Sequence, residues 1–173
     1  MMPLSDLPPH LIPVWKRCRE THEALLDCLT RFPEDRFTWR PAPRARTAAE
    51  IIAHVARGEC LYALCLKPDA PGQPPIAYPG TEEATVPGAL VPKDRDSSFH
   101  VIELAFGFAA RVVSGATEAD LERVAADDWN PLGAEVEGPL TGLWFIEQMN
   151  RHKAYHLGQL WYLITMLEEP PAD

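Results

Sequence analysis

From about Leu140 to Glu168 the chain carries a stripe, Phe145, Met149, His152, His156, Leu160, Leu163 and Leu167, whose members are spaced by three or four positions throughout. That period puts all seven on one face of an α-helix. A helix of this length with such a face gains its stability by burying the face against other helices, so the fold is constrained to a helical bundle. Two members of the stripe are not apolar. His152 and His156 stand at i, i+4, which places their imidazoles one above the other on the inward face. Unpaired polar groups are costly there. A metal ion is the shared partner that two nitrogen ligands on one rigid element can reach.

Three further segments have helical periodicity. The first runs from about Pro13 to Arg31, with Val14, Cys18, Leu25 and Leu29 on its apolar face and Pro33 beyond its end. A loop rich in Pro and Arg, 32–46, follows and carries Trp39. The second helix opens on a capping box, Thr47-Ala48-Ala49-Glu50, and runs to about Leu66. Its inner face is Ile51, Val55, Leu61, Tyr62 and Cys65. Residues 67–94 hold many of the prolines and glycines and read as a long connection or a lid over one end. A third helix is expected after Asp96-Ser97, ending near Ser114, with Val101, Ile102, Leu104, Ala105 and Phe108 inside. A short helical piece, Thr117–Ala126, and a loop over 127–138 lead to the last helix, which Pro170-Pro171 stop. No strand pattern competes. The expectation is an all-α four-helix bundle forming a single domain over 1–173, with a long Pro/Gly-rich connection between helices 2 and 3.

The charge balance narrows the partners. Asp and Glu number 25 against 16 Lys and Arg, a net charge of -9, and no basic cluster occurs. This argues against nucleic acid and anionic membranes as direct partners. The start of the chain lacks the pattern of a signal peptide, and no apolar run reaches membrane-spanning length, so a cytoplasmic protein is expected. Cys18, Cys28, Cys60 and Cys65 form no Cys-x-x-Cys motif and read as buried, reduced packing residues.

Two histidines hold a metal weakly, so a third ligand is sought on another helix. His54 is the candidate: it lies between Ile51 and Val55 on one side and Gly58 and Leu61 on the other, with Gly58 leaving room beside an ion. Three neutral imidazoles with one open position form a site that binds and activates water or a thiol. His10, His22 and His100 read as solvated or half-buried. His152 is followed by Lys153, which excludes the His-Glu-x-x-His pattern. The absence of Glu-x-x-His argues against a di-iron carboxylate bundle, and no nucleophile elbow or phosphate loop occurs.

The run His152-Lys153-Ala154-Tyr155-His156-Leu157-Gly158-Gln159-Leu160 resembles the last helix of the DinB/YfiT-like family, with its His-x-x-x-His followed by Gly-Gln-Leu. Thr47-Ala48-Ala49-Glu50-Ile51-Ile52-Ala53-His54-Val55 resembles that family's capped second helix with an interior histidine, and Trp39-Arg40-Pro41 resembles its Trp-x-Pro lead-in. The resemblance spans nearly the whole chain. Leu157 departs from it, standing where many members carry Arg, and the 67–94 segment is longer than usual. The resemblance implies a four-helix bundle holding a divalent metal on His54, His152 and His156. It also implies a homodimer and a metal-dependent transferase using a low-molecular-weight thiol such as bacillithiol or mycothiol, with related hydrolases and isomerases. The family's name refers to DNA-damage induction, a stress response at the level of expression that implies no DNA binding.

The expected chemistry is therefore a thiol transfer to small electrophiles, with Zn²⁺ first among ions and Ni²⁺ or Fe²⁺ as alternatives, since imidazole suits all of them. Gln159, one turn after His156, is placed either to orient a ligand imidazole or as a helix-packing amide. Tyr155 and Tyr62 are proton-donor candidates whose simpler role is core packing. Three alternatives stay open: a metal-dependent hydrolase, a bundle that binds a metal or small molecule without catalysis, and a hydrogen-bonded histidine core.

Overall fold

The computed structural model describes residues 7–70, 92–125 and 139–168. Four long helices dominate: α1 (Ile12–Arg31), α2 (Ala48–Leu66), α3 (Arg95–Ser114) and α5 (Gly142–Glu168), and a short α-helix, α4 (Glu118–Glu122), lies between α3 and α5. Helix α2 packs against α3 and α5, and α1 closes the ring by packing against α5 and α3. Helices α1 and α2 thus lie across a diagonal of a four-helix bundle. Among the described residues the only β pairing is an isolated bridge between Val124 and Thr141. No described helix is long and apolar enough to cross a membrane.

The predicted faces are the ones that are buried. Val14, Cys18, Leu25 and Leu29 of α1 lie inside, as do Ile51, Val55, Tyr62 and Cys65 of α2 and Val101, Ile102, Ala105 and Phe108 of α3. Leu61 and Leu104 are only half-buried, and Leu61 packs at the edge of the core. All four cysteines are buried, and none is in a disulfide. Desolvation pushes the thiols of Cys18, Cys28 and Cys65 up to about 12, so they stay protonated packing groups.

Helix starts follow cap chemistry, and two differ from expectation. The α2 capping box forms as the sequence indicates: Thr47 Oγ1 accepts from Glu50 N (3.1 Å) and Glu50 accepts from Thr47 N (2.9 Å). Helix α3 begins earlier than expected, because Asp94 is its cap. The Asp94 carboxylate accepts from Ser97 N (2.9 Å), which draws Asp96 and Ser97 into the first turn. Helix α5 begins two residues later than Leu140. The Leu140 carbonyl accepts from Ala125 N (2.9 Å), so this stretch is held extended. Gly142 then touches α4 so closely that a Cβ would lie 2.1 Å from the Asp120 carbonyl oxygen. The short piece expected over Thr117–Ala126 stops at Glu122. Most of the 67–94 connection, the 127–138 loop and Pro170-Pro171 fall outside the described residues.

Candidate metal centre

Helix α2 carries His54 and helix α5 carries His152 and His156, and the contact between these two helices brings the three imidazoles together. His152 Nε2 lies 3.0 Å from His54 Nε2 and 3.2 Å from His156 Nε2. The rings meet edge to face, with centroids 4.5–4.8 Å apart. Among the described residues this is the one group of three His, Cys, Asp or Glu side chains whose ligand atoms can share an ion. His156 is buried, while His54 and His152 are half-buried, so the cluster sits at the edge of the core rather than in its middle.

The donor set fits a cation. His156 Nδ1 stands 2.7 Å from Gln159 Oε1. An amide oxygen only accepts, so Nδ1 carries the proton and Nε2 turns a lone pair toward the other two rings. With His156 Nε2 unprotonated, the two N···N contacts at His152 share at most one well-directed hydrogen bond. A divalent ion bound tetrahedrally at about 2.0–2.1 Å holds its nitrogen ligands about 3.3 Å apart, close to the spacing here. Charge state agrees. Burial lowers His54 to about 4 and His152 to about 3, helped at His54 by the Arg46 guanidinium and at His152 by the crowding of the two other imidazoles, which disfavours a second charge. Burial also lowers His156, against the pull of its bond to Gln159. All three are neutral imidazoles at neutral pH.

Gly58 has a different role from the one its position suggests. A Cβ there would fall 2.7 Å from His152 Cε1. The missing side chain makes room for the His152 ring itself, not for space beside an ion. Tyr62 is buried and meets His152 edge-on at 5.7 Å. Tyr155 is not core packing: it is 65% exposed, with its ring 5.0 Å from that of His156. A cavity of about 700 Å³ opens beside the cluster, its wall including Arg44, Arg46, Tyr155, His156, Gln159 and Tyr162. Of the three histidines, His156 is the one that lines it. Leu157 is half-buried and is not part of that wall.

The remaining histidines stand apart from the cluster. His10 and His100 are exposed, as expected. His22 is neither solvated nor half-buried: it is wholly buried, stacked on Phe106 at 3.9 Å, with Nε2 3.2 Å from Glu103 Oε1. The Glu103 carboxylate alone would favour an imidazolium, but burial and the nearby Lys153 ammonium win and lower His22 to about 3. The ring is neutral and donates from Nε2. A buried neutral histidine stabilises the fold fully above the unfolded value near 6.5 and loses that contribution as pH falls toward 3. His22→Leu should therefore flatten the fall in unfolding free energy between pH 7.5 and pH 5, measured by urea titration. An unchanged slope would contradict the assignment.

Sequence reasoning missed one more pair behind the cluster. Lys153 Nζ lies 2.6 Å from Glu59 Oε1, and the two side chains are 1% and 2% exposed. Each is the next residue after a site residue, Lys153 after His152 and Glu59 after Gly58. Burial pushes the Glu59 carboxyl up, and the Lys153 ammonium draws it back. The signal was present: Lys153 shares a helical face with Met149, His156 and Leu160, and Glu59 shares one with Val55 and Tyr62.

Residues 15–160 match the family model described as the DinB superfamily. Among solved structures, the crystal structure of a DinB-like protein, YjoA, from Bacillus subtilis matches with a TM-score of 0.61 at 14% identity, covering 93% of this chain and 95% of that one. At that identity the likeness speaks for the fold. No curated protein matches the chain.

Proposed function

This chain belongs to the DinB superfamily, and from that premise we propose that His54, His152 and His156 hold a divalent ion, Zn²⁺ first, at the centre of a thiol-dependent S-transferase acting on small electrophiles. The observation that carries the reading is the convergence of three neutral imidazoles beside a cavity. An ion on three imidazoles supplies a Lewis acid with an open position that lowers the pKa of a thiol or water. The side chains do the rest. Gln159 Oε1 holds the proton on His156 Nδ1 and so keeps Nε2 free to ligate. Gly58 lets His152 approach, and the cavity past His156 admits the reactants. Hydrolysis needs a general base to take a proton from water. The described wall of the cavity holds no Asp or Glu, which favours thiol transfer over a hydrolase. Partners of the bacillithiol or mycothiol type and a homodimeric state accompany this reading.

The test is a transfer assay on zinc-loaded protein with a thiol panel and chlorodinitrobenzene or monobromobimane as electrophile. Thioether should form above the uncatalysed rate, and His156→Ala should return it to background. A zinc-loaded protein that transfers none of the thiols would contradict the transferase reading and leave a binding bundle.

A further inference from the structure

We infer that the cavity beside His156 is a subsite for a small molecule bearing a carboxylate, with the anion on Arg46 and Arg44 and the apolar body against Ile51, Leu163 and Met166. The inference deepens the proposed function by naming a feature of what enters that site.

The cavity is mixed in chemistry. The turn that leads into α2 contributes Arg44 and Arg46 to its lining, and Ile51 on α2 with Leu163 and Met166 on α5 contribute apolar side chains. Among the described residues neither Arg44 nor Arg46 has an ion-pair partner, although the chain is acidic overall, at -9. Arg40, in the same turn, is committed. It pairs with Glu50 Oε1 at 2.5 Å and also donates to the Ala45 carbonyl. That clamp ties the turn to the first turn of α2 and holds Arg44 and Arg46 on the cavity side.

Two guanidiniums with no ion-pair partner among the described residues, in a cavity that also has apolar lining, select for an anion joined to an apolar body. The planar fork of Arg matches the two oxygens of a carboxylate. The exposed rings of Tyr155 and Tyr162, at 65% and 66%, extend the wall toward solvent and offer flat surfaces to a ligand. The carboxylate can belong to the electrophile or to the thiol, and the two sources are separable.

The experiment compares each acid with its amide on the full chain, by calorimetry, in zinc-loaded and chelator-treated protein. The probes are 4-phenylbutyrate against 4-phenylbutyramide and N-acetylcysteine against its amide. At least one acid should bind about tenfold or more tighter than its amide, the worth of a charge-assisted hydrogen bond. Arg46→Ala should abolish that preference while leaving zinc stoichiometry and thermal stability unchanged. The pair that shows the effect identifies the source of the anion. Equal binding of acid and amide in both pairs, or a preference that survives Arg46→Ala, would overturn the inference. So would a preference seen only with zinc, which puts the anion on the metal. Because the chelator-treated arm does not depend on metal, a failure of zinc binding would contradict the proposed function without deciding this one.

Discussion

Lys153→Met should lower the unfolding free energy by about 3–5 kcal/mol, the usual cost of stripping one partner from a buried ion pair. The size follows from what is left behind. Glu59 is 2% exposed, and its Oε2 has no partner among the described residues. Without the ammonium at 2.6 Å from Oε1, the carboxyl must either stay charged without a counterion or take up a proton, and both cost stability. The substitution also removes the cation that stands 4.5 Å over the Phe106 ring. Pairing it with Glu59→Leu removes the orphaned carboxyl and should restore most of the loss, since a hydrophobic pair of similar volume is close to neutral. Guanidinium unfolding of the wild type, both single variants and the double variant closes the cycle. A Lys153→Met protein within 1 kcal/mol of wild type would contradict a structural role for the pair.

Gly58→Ala should act on metal affinity and not on the fold. In a helix interior alanine is favoured over glycine by about 1 kcal/mol, so chelator-treated protein should be at least as stable as wild type. The new Cβ, however, would stand 2.7 Å from His152 Cε1. The ring must move to escape, and Nε2 moves with it, away from His54 and His156. Zinc affinity should fall roughly 10- to 100-fold, the range found when a group that orients a ligand is lost. Competition against a chromophoric chelator measures the affinity, and thermal unfolding of the metal-free protein measures the fold. Unchanged affinity would mean that the His152 ring does not need the space.

The helical architecture was legible because its signals are local. The Thr47–Glu50 capping box and the stripe from Phe145 to Leu163 depend only on short-range spacing, and both read correctly. His54, His152 and His156 could be grouped because each lies on an inward stripe. What stayed hidden depends on contacts between segments. The start of α5 is delayed by the bond from Ala125 N to the Leu140 carbonyl, two residues well separated in sequence. The burial of His22 is set by Phe106 on another helix. The core packing expected of Tyr155 fails because one position along a helix turns a side chain by about 100° away from the inward-facing His156. Arg46 carried no sequence signal, since its placement follows from the Arg40 clamp on Ala45 and Glu50.

The most direct test is the metal content of protein purified without an affinity tag, wild type beside His152→Ala, with Zn²⁺ or Ni²⁺ added afterwards to any protein isolated without metal. The expected result is about one ion per chain in the wild type and a large loss in the variant, as three convergent imidazoles require. A wild type that carries no metal and takes up neither ion would contradict the central claim, leaving the three imidazoles as a hydrogen-bonded histidine cluster.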